Sequence, residues 1–199
     1  MSNRNTILAK LRAAQPDPRP LPDVPLYDDK LPPALETFRK SLALIGGTWV
    51  DAPANGDVEA LIRSRFPDAQ VFCSAVPEVW GTRRVEHVAD PHDLYDVDVG
   101  IVRPAFAVAE TGSIWLSEAE YLVNALGYLS QHLVALLDPA DIVGNLHHAY
   151  HRREFFAADY SVLMSGPSAT ADIEGILIRG AQGIRSLTVI PVACPLQRR

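Results

Sequence analysis

Two stretches of this sequence gather the groups that chemistry needs. The first is Ala107-Val108-Ala109-Glu110-Thr111-Gly112-Ser113-Ile114, where a carboxylate and two hydroxyls crowd around one glycine. Glu110 can serve there as an acid, a base or a ligand-orienting group, provided that its partner comes within hydrogen-bond reach. A glutamate at a turn is as readily a solvated turn residue, so its role depends on whether a cleft surrounds it. The second stretch is Ser165-Gly166-Pro167-Ser168-Ala169-Thr170-Ala171-Asp172-Ile173-Glu174-Gly175. Small residues let backbone amides approach a ligand closely, and loops of this kind sit where α/β sheets bind their ligands. A plainer reading is a strand–loop–helix corner in which Ser168 or Thr170 caps the helix and Asp172 and Glu174 suit the positive end of its dipole. Physical chemistry alone favours that corner. A helix terminus contributes ~1 kcal/mol to an anion, whereas micromolar affinity takes ~8 kcal/mol. Asp172 and Glu174 would also repel a phosphate, so a ligand here must gain affinity elsewhere or offer hydroxyl or cationic groups to them.

Other chemistry is less well supported. His147, His148 and His151 suggest a metal site, because positions 147 and 151 share a helix face. Arg152 and Arg153 beside them oppose a dication, and polar or cationic residues suit a helix C-terminus in any case, so no metal is expected. Cys73 and Cys194 are the two cysteines. An iron–sulfur cluster takes four thiolates at close spacing, which this chain cannot supply alone; buried, reduced thiols are the expectation. Trp49, Trp80 and Trp115 read as packing residues.

The elements that must position these groups alternate in type. Ile7, Leu8 and Leu11 mark a short first helix, followed by Pro16, Pro18, Pro20, Pro22 and Pro25, a density that forbids helix and central strand alike. Residues 1–30 are therefore expected to be a helix and proline-rich arm, with the domain proper over 31–199. Leu35, Phe38, Leu42 and Ile45 form one helical face, stopped by Gly46-Gly47 before a short strand at 48–50. A helix over 57–66 precedes a strand at 71–73, while 77–104 is the least readable stretch. Phe106–Ala109 and Ser113–Leu116, separated by Glu110-Thr111-Gly112, predict a hairpin. Strands at 132–137, 160–164 and 187–192 alternate with helices at 139–151 and 171–182; the last carries an apolar face of Ile173, Ile176 and Leu177. The alternation argues for an α/β layer structure with a mainly parallel sheet, made mixed by the hairpin.

The apolar share of 48% and charged share of 21% are those of an ordinary globular chain. A net charge of −6 argues against a nucleic-acid binder, and the basic pairs Arg152-Arg153 and Arg198-Arg199 form no phosphate-tracking stripe. No apolar run approaches the length of a membrane span. Met1 to Arg12 lacks a signal-peptide core, and a cytoplasmic location is expected.

Ala109-Glu110-Thr111-Gly112 before an apolar strand, then Ser165-Gly166-Pro167-Ser168-x-Thr170-Ala171-Asp172-Ile173-Glu174, resembles the two signatures of the LUD domain, and in particular the lactate-utilization protein C family (LutC/YkgG). The similarity runs over roughly residues 95–192. It implies a three-layer α/β/α architecture like that of the NagB/RpiA/CoA-transferase fold. It also implies a bacterial protein that works with two iron–sulfur partner proteins in oxidising L-lactate to pyruvate and holds no redox cofactor of its own. By position, the resemblance points to Glu110 and Asp172 as catalytic carboxylates and to Thr111, Ser168, Thr170 and Glu174 as binding residues. Two departures stand out. Val102-Arg103-Pro104 replaces a small, glycine-containing segment, so that Arg103 either grips a substrate carboxylate through paired hydrogen bonds or closes the pocket. Ser117-Glu118-Ala119-Glu120-Tyr121 is more acidic than the family pattern. Two further readings stay open: a stand-alone enzyme of the same fold acting on a small molecule or nucleotide, and a non-catalytic regulatory module.

Overall fold

The computed structural model describes residues 3–17, 19–172 and 174–194. Ile173, counted above in a helical face, and the Arg198-Arg199 pair lie outside the described residues. The helices are α1 (Asn3–Ala13), α2 (Ala34–Leu44), α3 (Val58–Arg65), α4 (Glu118–Tyr121), α5 (Leu126–Leu129), α6 (Leu146–Tyr150) and α7 (Arg153–Ala157). The strands are β1 (Thr48–Trp49), β2 (Phe72–Ser74), β3 (Arg83–Arg84), β4 (Val99–Val102), β5 (Phe106–Val108), β6 (Ser113–Ser117), β7 (His132–Leu137), β8 (Ile142–Val143), β9 (Ser161–Met164), β10 (Ala169–Thr170), β11 (Ile178–Arg179) and β12 (Ser186–Pro191). Among the described residues no helix is long and apolar enough to cross a membrane.

A six-stranded sheet in the order β1-β12-β7-β4-β2-β3 is parallel throughout. Its inner strands β12, β7, β4 and β2 are buried on both faces, which explains their apolar runs. Along β7 the side chains alternate: Val134 and Leu136 face one side, where Val58 and Ile62 of α3 cover them. Leu133, Ala135 and Leu137 face the other, where Phe38 and Leu42 of α2 pack. The expected α/β fold with a mainly parallel central sheet is thus present. The hairpin, however, does not mix the main sheet. It forms a second, four-stranded sheet in the order β8-β5-β6-β9. One face of this sheet (Ala107, Ile114, Leu116) joins the core around α2. The other (Phe106, Val108, Trp115) is covered by Ala149 of α6 and Phe155 of α7.

Three expectations need correction. The helix over 139–151 is broken by β8, because Ile142 and Val143 pair with Ala107 and Val108 at the edge of the second sheet. No helix forms among the described residues of 171–182. Instead β10 and β11 pair as an antiparallel ribbon, with Ile176 and Leu177 exposed rather than packed. A short amphipathic helix draws its stability from burying its apolar face; with these two side chains left in solvent, and Gly175 and Gly180 at φ 71 and 74, the segment loops back. Trp80 is exposed, with Arg84 over its ring, whereas Trp115 is buried and Trp49 packs against Phe38.

Candidate functional site

The hairpin brings Glu110 to the carboxyl end of β5, beside the carboxyl end of the parallel strand β8. Three contacts fix it: its N–H donates to Gly144 O (3.1 Å), its carbonyl accepts from Ser41 Oγ (3.2 Å), and its Oε2 accepts from Leu146 N (3.1 Å). No hydrogen bond among the described residues uses Oε1. The turn closes through Gly112 at φ 68, where a β-carbon would fall 2.4 Å from the Leu42 amide nitrogen. The tip of the hairpin is therefore pressed onto the backbone of α2.

Glu110 opens onto a cavity of about 500 Å³. Tyr27, Leu31 and Pro32 form one wall, Thr37 of α2 and Ala109 a second, and Gly144, Asn145 and His147 a third. The first wall is the end of the proline-rich arm, and it is tied down. Asn145, 4% exposed, donates from Nδ2 to Leu26 O (2.7 Å) and accepts at Oδ1 from His148 N (2.9 Å). One amide thus caps α6 and holds the arm beside the cavity. The Tyr27 ring lies 4.7 Å from that of His147, and Leu31 Cδ1 sits where a β-carbon at Gly144 would come within 2.7 Å.

The two signature stretches meet at a different point. β6 and β9 pair antiparallel with Ile114 opposite Met164, which brings Ser113 and Ser165 together at 2.6 Å. Ser113 Oγ also donates to Thr111 Oγ1 (2.8 Å), completing a three-hydroxyl chain. Gly166, at φ 76, leaves 2.5 Å between an added β-carbon and Ile45 O. Both signatures therefore bear on the C-terminal end of α2, Gly112 on Leu42 and Gly166 on Ile45.

The remaining described residues of the second signature lie in β10 and the turns on either side of it and do not line the Glu110 cavity. Ser168 donates its N–H to Ile184 O (3.0 Å) and accepts Gly180 N–H (2.7 Å). Thr170 Oγ1 donates to Asp172 Oδ2 (2.7 Å) and accepts the Asp172 N–H (3.2 Å), so this pair caps its own turn rather than a helix. Glu174 takes a left-handed backbone at φ 55. Arg103 spends its guanidinium inside the chain, on Glu78 Oε1 (2.7 Å) and Val192 O (3.0 Å); a substrate carboxylate would have to displace Glu78. Among the described residues no group of three His, Cys, Asp or Glu is placed to hold a metal ion; the His147 ring packs tilted against Tyr27, and His148 Nε2 stands 4.0 Å from Asp28. Neither cysteine is disulfide-bonded.

The family model described as LUD domain matches residues 38–192, from the first buried aromatic of α2 to the end of the last strand. The chain belongs to the LUD-domain family. The match takes in both signatures and extends the similarity back through α2 and α3. The LUD chain is also similar to the crystal structure of a DUF162 family protein from Deinococcus radiodurans, with a TM-score of 0.58 and 19% identity over 80% of this chain and 96% of that one. At that identity the likeness shows the fold. None of the curated proteins matches the sequence.

Sequence reasoning singled out Glu110 but not its surroundings. Tyr27, Leu31, Asn145 and His147 reach the cavity from segments remote in sequence. The local signals were an arm whose proline spacing ends before Leu26 and an Asn145 placed to cap α6, and neither announces a cavity alone.

Proposed function

We propose that this LUD chain is a LutC/YkgG-type subunit or accessory protein of an iron–sulfur system that oxidises L-lactate to pyruvate, and that it carries no redox cofactor itself. The observation that carries the reading is the family match over 38–192. The cysteines are in keeping with that division of labour: Cys73 is fully buried and Cys194 is not disulfide-bonded to it, and this reading draws the cluster thiolates from partner proteins. In this reading the substrate carboxylate belongs to the assembled system, and the two signatures set the surface and cavity at the end of α2. Co-expression with iron–sulfur lactate-oxidation proteins tests it. The chain should co-purify with them at a fixed ratio while the cluster absorbance stays with the partners. A chain that elutes alone in their presence would overturn the assignment.

A second reading is a small-molecule-binding enzyme of the same fold, and the Glu110 cavity favours it. Ligand pockets of ~300–1,000 Å³, mostly apolar with a few placed polar groups, are the usual form of such sites, and open α/β sheets bind at the carboxyl ends of parallel strands. The cavity has that size and a mostly apolar lining, and it sits at the carboxyl ends of β5 and β8, the one parallel pair of the second sheet.

A further inference from the structure

The walls of the Glu110 cavity define a charge preference as well as a volume. Neither lysine nor arginine lines it, and Glu110 supplies its one carboxylate. Leu146 N–H occupies Oε2, which leaves Oε1 without a hydrogen-bond partner among the described residues. The same cavity is lined by the apolar Leu31 and Pro32 and by the tilted ring pair Tyr27–His147. A carboxylate or phosphate entering this space would meet the like charge of the exposed Glu110, with no lysine or arginine on the walls to offset it. A protonated amine or amidine meets the reverse: a charge-assisted hydrogen bond to Oε1 and an aromatic face for its charge.

We propose that the cavity lined by Tyr27 and Leu31 binds a small organic cation, an amine or amidine on a compact apolar body, with Glu110 as its anchor and the Asn145-held arm as one of its walls. The proposal rests on the second reading above, that the cavity is a ligand site, and adds the class of ligand. It also separates this cavity from the lactate carboxylate, which it would not receive.

Benzamidine and benzoate are matched probes, because they share a flat apolar ring and carry opposite charges. Titrated into the full chain and followed by amide and imidazole NMR shifts, benzamidine should move the Leu146 amide and the His147 ring in a saturable way, while benzoate leaves both in place. Glu110→Gln keeps an acceptor oxygen for Leu146 and removes the charge, so benzamidine affinity should fall about tenfold or more, the scale of a lost charge-assisted hydrogen bond. Should that variant fail to fold, the wild-type probe pair still decides. Equal binding of the two probes would overturn the cation preference while leaving a ligand site in place. Binding of benzoate alone would overturn it as well. No saturable shift from either probe would overturn both the proposal and the cavity reading beneath it. None of these outcomes bears on co-purification with iron–sulfur partners.

Discussion

Ser113 is 2% exposed, and its hydroxyl is shared between Thr111 and Ser165, so the contact between the two signatures rests on one buried oxygen. A buried hydroxyl that keeps its partners contributes about 1 kcal/mol net, and an orphaned partner costs more than a missing pair. Ser113→Ala should therefore destabilise by about 1–2 kcal/mol. Adding Ser165→Ala should cost little more, because the second change removes a group already left without its partner. Urea unfolding of the two single variants and the double variant measures this coupling. Strict additivity would mean that the hydroxyls do not interact. At the same scale, Glu110 is placed by two contacts to its backbone and one to its Oε2, which suits an anchor whose position must not depend on the ligand.

At the level of elements, α2 is the part that both signatures press upon. Gly112 is at φ 68 with the Leu42 amide nitrogen 2.4 Å from where a β-carbon would be, whereas Gly56 is at φ 74 with nothing within 4 Å. Both positions resist a side chain on backbone grounds, at ~1–2 kcal/mol, but Gly112 adds a collision with backbone that cannot rotate away. Gly112→Ala should thus cost clearly more than Gly56→Ala, by about 2 kcal/mol or more, on the scale of other overpacked sites. Equal losses in thermal or urea melts would show that the hairpin tip can lift off α2. The hairpin itself was legible in the sequence, because its glycine and flanking apolar runs are local signals. β7 and β12 were legible for a related reason: strands buried on both faces read as unbroken apolar runs. The stretch 77–104 was not, because β3 has two residues and β4 is Val-Gly-Ile-Val, too short for any period to emerge. The helix expected over 171–182 failed because an apolar period says only what a face would bury, not whether anything is there to cover it. Ile176 and Leu177, both 61% exposed, found no cover. Glu110 was legible as a residue and its cavity was not, since the arm and α6 reach it by tertiary packing alone.

Across the whole molecule, stability is linked to pH through His132, at the amino end of β7. Its Nδ1 lies 2.7 Å from Ser186 Oγ, and its ring packs 4.9 Å from that of Phe66. Burial, with the nearby Arg185 guanidinium, holds its imidazole below the ordinary 6.5, and Asp98 only partly opposes this. The unfolded chain takes up a proton near 6.5 that the folded chain resists. This contribution is therefore fully present above pH 6.5 and is lost as pH falls through the lowered folded value. Denaturant melts from pH 7.5 to 5 should show a steeper loss for the wild type than for His132→Gln, and identical slopes would remove His132 from the account. The function proposed for this LUD chain is a contribution to lactate oxidation in which partner proteins perform the electron transfer. The most direct measurement is lactate-dependent dye reduction by the purified chain alone, by the iron–sulfur proteins alone, and by the mixture. Activity should appear in the mixture and be absent from the chain alone. Robust turnover by the isolated chain, or a mixture no more active than the iron–sulfur proteins without it, would contradict it.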